Sequence, residues 1–279
     1  MSDQDIGVKR DLAPRPDWAM GLALACVVGM LFLSMRANRI DRAAAAMLAT
    51  QAAAFRIADE LRQSSDDLTR MARAYAATGD GRYLEHFREI MEIRNGGAAR
   101  PRDYHLPYWD LVPPDGERPR PAGRRVAISS MIEGLATPEE AEAVATEYSA
   151  IGQRFAVRRF ETGIAEAESA LLAASEDASN TLAELEEQAF EAVRSGNGEL
   201  ALGLLHSPEY HEGKARVMAP LVEFAETVRI RTGAETTALA ASRRTVHRVL
   251  VALAVLSILF IGAALSVLPG REKAGTKPS

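Results

Sequence analysis

From Asn38 to Thr78 the chain carries neither glycine nor proline, and its side chains repeat in threes and fours: Leu48, Ala52, Phe55, Ala58, Leu61, Ser65, Leu68, Ala72 and Tyr75. That period matches a helical turn, so the spacing predicts one long helix with a face fit to pack on other helices. The opposite face carries Arg56, Glu60, Gln63, Asp67 and Arg70. The pattern breaks at Thr78-Gly79-Asp80-Gly81, where glycine permits the left-handed conformation that ends a helix and Asp80 is placed to cap the next one. A second helix, with Tyr83, Phe87, Ile90 and Arg94, stops at Asn95-Gly96-Gly97. Prolines at 101, 107, 113, 114, 119 and 121 then exclude regular helix and leave an irregular loop from 95 to 125.

Beyond the loop, the pattern predicts a short helix over 126–135, a capping box at Thr137-Pro138-Glu139-Glu140, and a long acidic helix to Arg194 with a break near Gly152 or Gly163. Leu171, Ala174, Ala178, Leu182, Leu185, Ala189 and Val193 form its apolar ladder. Glu166, Glu168, Glu176, Asp177, Glu184, Glu187 and Glu191 read as a solvated face. Ser195-Gly196-Asn197-Gly198 is a reversing turn, followed by a short helix over 200–205 and a capping Ser207-Pro208. Tyr210, Val217, Leu221, Phe224 and Val228 mark the core face of a last helix that runs on into an apolar segment.

Two uncharged apolar runs, 18–35 and 249–268, are long enough to cross a bilayer. The expected organisation is a tail (1–17), a transmembrane helix (18–36), a helical domain (37–247), a second transmembrane helix (248–268) and a tail (269–279). The single cysteine, Cys26, excludes an intramolecular disulfide, and the apolar run continues past it, as in an uncleaved anchor and unlike a lipidated signal. Basic residues flank both ends of both runs, so the positive-inside rule does not orient them. A formal net charge of −5, with no DNA- or RNA-reading motif, gives no sign of a nucleic-acid partner.

Two separated motifs carry a family resemblance. Ser65-Asp66-Asp67-Leu68-Thr69-Arg70-Met71-Ala72-Arg73, Thr78-Gly79-Asp80, Arg82-Tyr83, Ile93-Arg94-Asn95-Gly96, Arg100-Pro101 and Tyr108-Trp109-Asp110-Leu111 form the first. Leu204-Leu205-His206-Ser207-Pro208-Glu209-Tyr210-His211, Lys214-Ala215-Arg216 and Met218-Ala219-Pro220 form the second. Over residues 40–245 the chain resembles the extracytoplasmic helical sensory region of bacterial membrane receptors, which precedes methyl-accepting chemotaxis, histidine kinase, diguanylate cyclase or adenylate cyclase modules. The resemblance implies an all-α, four-helix-type bundle of long helices outside the cytoplasmic (inner) membrane, with both termini cytoplasmic. It implies a sensor that receives a small molecule or partner. No output domain follows the second run here, so the expectation is an accessory sensor, a truncated receptor or half of a split system, signalling through a separate kinase, cyclase or chemotaxis component and pairing as a homodimer.

No catalytic constellation is visible, and no cofactor motif, so an enzyme is not expected. His206 and His211 are five apart and do not share a helix face, which disfavours a metal. The best ligand-site residues are Arg73, Tyr83, Arg94, Tyr108, Trp109 and Asp110, which join aromatic surface to fixed charge near a loop able to close over a helix pair. Tyr210, His211 and Lys214 form a secondary patch. Arginines and aromatics also fasten loops without a ligand, and Tyr108 and Trp109 are expected to pack on the helix of Tyr83, Phe87 and Ile90. A sensory module and a structural scaffold both fit these features.

Overall fold

The computed structural model describes residues 17–112, 119–120, 122–136 and 164–266. They form α1 (Asp17–Thr78), α2 (Gly81–Arg94), a 3-10 turn (Trp109–Leu111), α3 (Ile128–Ala136), α4 (Glu166–Arg194), α5 (Gly198–Leu205) and α6 (Pro208–Ser266). Among the described residues the fold is all-helical, with no strand and only isolated bridges joining Asn95 to Ala127 and Pro101 to Ala122. The predicted capping box at Thr137 and the acidic helix before Gly163 lie outside the described residues.

The chain divides into two units, one formed by the segments up to Asp41 and from Ala238, the other by Arg42–Thr237. In the first unit, α1 and α6 are long and apolar enough to span a membrane. Only 17% and 11% of their most apolar windows are buried, which distinguishes them from the core helices of a water-soluble protein. Leu24, Leu31, Phe32, Ile258 and Leu259 all stand exposed. Within this unit a Cβ at Gly29 would lie 3.3 Å from Leu253 Cδ1, a close helix–helix approach.

The second unit buries two apolar clusters. One joins Leu68, Met71, Ala72 and Tyr75 of α1 to Phe87, Ile90 and Ile93 of α2, Leu182 and Phe190 of α4, Leu205 of α5, and Tyr210 and Val217 of α6. Phe190 sits at its centre, edge-on to Tyr75 at 5.4 Å and to Phe87 at 4.8 Å. The other joins Ile57 and Leu61 of α1 to Ile128, Met131, Ile132 and Leu135 of α3, with Leu172, Leu221, Phe224 and Val228. The core face expected for α6 is the one observed.

Helix ends follow their local chemistry. Gly79 has φ +68°, and the Asp80 carboxylate accepts a hydrogen bond from the Arg82 N–H at 3.0 Å to start α2. Gly96, with φ +76°, brings its backbone against the strand of chain entering α3, where any Cβ would meet Ala127 N at 2.8 Å.

Two expectations are corrected. In α4 the fully buried stripe is Glu168, Leu172, Ser175, Ser179, Leu182, Glu186 and Ala189; it shares Leu182 and Ala189 with the expected ladder, while Leu171, Ala178, Leu185 and Val193 pack half-buried beside it and Ala174 is exposed. Apolar counting missed it because four of those seven positions are polar. Glu168, expected in solvent, is buried, receives two hydrogen bonds from Arg231 at 2.7 and 3.0 Å, and accepts the Ala165 N–H that begins the helix at 3.0 Å. In α1, Glu60 and Asp67 are likewise buried where an outer face was expected, while Leu48 and Ala52 stand exposed.

Candidate functional site

The loop after α2 is fastened to the helices. Arg100 N donates to Arg124 O at 2.9 Å and Gly123 N to Arg100 O at 2.6 Å, closing a neck. Inside it, Trp109 is buried, its indole N–H donating to the Tyr104 hydroxyl at 2.8 Å, its ring 5.3 Å from Tyr108 and 5.0 Å from His86 of α2. Arg120 donates to the carbonyls of Asp103 and Pro107 at 2.7 and 2.6 Å, and Gln63 of α1 donates to Leu106 O at 2.8 Å. Burial pushes the Tyr104 phenol up, so it stays neutral. The expected docking of Tyr108 and Trp109 on the Phe87–Ile90 face is observed, since all four share one apolar cluster.

Behind the loop lies a buried polar row. Arg94, at the end of α2, is 1% exposed and donates from Nη1 to Ser179 Oγ at 2.7 Å. Its Nε and Nη2 have no hydrogen-bond partner among the described residues. Burial pulls its pKa down, while the charges of Glu176, Glu60 and Glu186 oppose that pull. Further along α4, Glu186 Oε1 accepts the Tyr210 hydroxyl proton at 2.6 Å. Desolvation raises the Glu186 carboxyl to about 7, against the opposing hydrogen bond from Tyr210 and the charges of Lys214, Arg94 and Arg73. The Tyr210 oxygen is also 2.8 Å from Thr69 Oγ1. Lys214 Nζ donates to Ser65 Oγ at 2.9 Å and pairs with Asp66 at 2.9 Å, and its pKa is lowered, mainly by burial. Ser175 Oγ donates to Val217 O at 2.9 Å.

Glu60 and Arg100 form a buried ion pair of 2.8 Å, with Arg100 also reaching Ile93 O and Met131 Sδ. Such a pair loses much of its Coulomb gain to desolvation and adds little net stability, but removing either partner would leave the other charge buried and unpaired.

The structure therefore separates the predicted site residues. Arg94 joins the polar row, and Arg73 belongs with the secondary patch, donating to Leu205 O at 3.0 Å and lying over the Tyr210 ring at 5.4 Å. Tyr108 and Trp109 are core residues of the docked loop, and Tyr83 packs at the cluster's edge. Asp110 is exposed and paired with Arg70. Tyr210 and Lys214 share the Thr69 hydroxyl, whereas His211 is exposed. Sequence reasoning missed Thr69, Ser175, Ser179 and Glu186. Their signal was present: 175, 179, 182 and 186 keep helical spacing with Leu172, a polar run laid along an apolar stripe.

Among the described residues no three His, Cys, Asp or Glu side chains are grouped to hold a metal ion, and His206 Nδ1 lies 2.9 Å from Leu202 O at the end of α5. Comparison of the chain with protein-family models, curated proteins and solved structures finds no match.

Proposed function

We propose that the chain is a membrane-anchored sensory module of bacterial signal transduction. In this reading α1 and α6 cross the inner membrane, the unit 42–237 is an extracytoplasmic helical bundle that receives a small molecule, and a kinase, cyclase or chemotaxis component is the partner that reads the state of the spans. A second copy of the chain completes the signalling unit, because a shift between paired long helices is a way for a packed interior to be felt across a bilayer.

The observation that carries the reading is the polar row. Arg94, Ser175, Ser179 and Glu186 are polar yet buried, and α1 and α6, whose residues Ser65, Thr69, Tyr210 and Lys214 meet near that row, are the same helices that carry the apolar runs. Buried polar groups that are only partly satisfied cost stability, and departures of this kind from an apolar interior are expected at functional or strained sites.

The test uses the full chain in lipid nanodiscs, unfolded thermally against a panel of small metabolites. A cognate compound at 100 times its Kd adds about 2.7 kcal/mol of stability. No stabilisation by any compound class, with assembly indifferent to all of them, would point instead to a scaffold. Reporter insertions at Gly116 and at the C-terminus should report opposite sides of the membrane, and the same side for both would end the topology.

A further inference from the structure

We propose that the cavity where α1 and α6 leave their apolar runs is a site for the phosphate headgroup of an anionic phospholipid. The proposal rests on the two spans of the reading above and is independent of what the bundle receives. The cavity, about 540 Å³, is lined by Ala37 and Asp41 of α1 and by Arg243, Arg244, His247 and Arg248 of α6. Arg244 and Arg248 are one helical turn apart, as are Arg243 and His247, so two rows of N–H donors border the same space. Arg243 Nε pairs with Asp41 Oδ1 across the two helices at 3.4 Å. Neither Arg244 nor Arg248 meets a carboxylate among the described residues, and Arg244 Nε donates to a helix carbonyl, Ala240 O, at 3.3 Å. Two guanidiniums therefore remain for an anion, and their planar forks match the oxygens of a phosphate in pairs.

The place of the cavity in the chain selects a lipid. The apolar run of α6 begins at Val249, and at about 1.5 Å per residue positions 243–248 extend about 9 Å beyond it, close to the roughly 5–8 Å of a headgroup layer. Met35 and Val249, at the ends of the two runs, are exposed, and Leu31, Phe32 and Val251 continue that apolar surface away from the cavity. A phosphate seated between the arginines thus lays its acyl chains along exposed apolar side chains. From 36 to 41 and from 243 to 248 the sequence holds five arginines and a single acid, Asp41. Phosphatidylcholine would bring its trimethylammonium beside those guanidiniums, whereas phosphatidylglycerol carries the same phosphate without a cation.

The experiment reconstitutes the full chain in nanodiscs of phosphatidylcholine alone and of equal parts phosphatidylcholine and phosphatidylglycerol. Native mass spectrometry then counts the lipids that stay bound on release. Phosphatidylglycerol should be retained in preference, at a saturable stoichiometry. Each charge-assisted contact to phosphate is worth about 10-fold, so Arg244→Gln with Arg248→Gln should weaken retention about 100-fold. Arg36→Gln with Arg39→Gln removes as much charge from α1 outside the cavity and should leave most of the preference. Ala37→Phe fills the cavity without changing charge and should abolish it; should that variant fail to fold by circular dichroism, the two arginine pairs decide. Millimolar inorganic phosphate should not displace the lipid, and displacement would assign the arginines to a soluble anion and overturn the proposal. Equal losses in the two arginine pairs, or a preference unchanged in a folded Ala37→Phe variant, would overturn it in favour of diffuse surface charge. A chain that enters both bilayers and retains the two lipids alike would overturn the site and leave the spans standing, whereas a chain that enters neither would overturn both.

Discussion

Glu186→Gln isolates the most strongly perturbed acid of the polar row. Folding raises this carboxyl from 4.5 to about 7, chiefly by desolvation, so the folded state binds the proton more tightly than the unfolded chain. Its contribution to stability is present in full below pH 4.5 and is lost as pH rises through about 7. A shift of that size corresponds to about 3 kcal/mol across the window. Glutamine keeps the acceptor for the Tyr210 hydroxyl and cannot ionise. The two proteins should have similar stability near pH 4.5, and by pH 8 the variant should be the more stable by about 3 kcal/mol, on the order of 10 °C in Tm for a domain of this size. Thermal unfolding of both proteins from pH 4.5 to 8 reads the difference directly, and taking the difference cancels the slopes from Asp67 and Glu176, which burial also raises. Parallel curves for the two proteins would show that Glu186 is ionised in the fold, held by Lys214, Arg94 and Arg73, and would refute the assigned desolvation.

Three further outcomes follow from packing. Trp109→Ala removes a buried indole and its bond to Tyr104 and should cost about 3–5 kcal/mol with little loss of helix content, while the parent protein with Trp18→Phe emits blue of its denatured form; emission at the solvated wavelength would mean an undocked loop. Glu60→Leu alone should cost about 3–5 kcal/mol in chemical unfolding because Arg100 is left buried beside it, whereas Glu60→Leu with Arg100→Met should recover most of that loss; equal costs for the single and double variants would show the pair is not coupled. Gly96→Ala forces a side chain into a left-handed backbone and against Ala127 N, and should cost more than about 1 kcal/mol, while Gly203→Ala, at an open position of α5, should not destabilise.

Glycine breaks, caps and the apolar runs were legible because each is a local signal: Gly79 and Asp80 act within one turn, and a helix long and apolar enough to cross a membrane declares itself by composition over about twenty residues. The docking of Trp109 was legible too, since an exposed indole forfeits burial. What the sequence hid is the polarity of the interior. Glu60, Asp67, Glu168 and Glu186 look like solvated acids until Arg100, Arg70, Arg231 and Tyr210, as many as 63 residues away, are brought beside them. Pattern reading assigns charge to the surface, so a helix that turns serines and glutamates inward is read about one residue out of phase. Arg94 stood out as an arginine among aromatics, but its burial and its hydrogen bond to Ser179, 85 residues away, are three-dimensional properties.

The neck that closes the loop, with Arg100 bonded to Gly123 and Arg124, has an evolutionary corollary. Chain enters and leaves the loop at one point, so a change of length held behind the neck has no need to move α2 or α3. Doubling such a stretch costs only about 0.6 kcal/mol in closure entropy. Length is therefore free to vary behind the neck while Leu106 and Pro107, held by Gln63 and Arg120, keep their place.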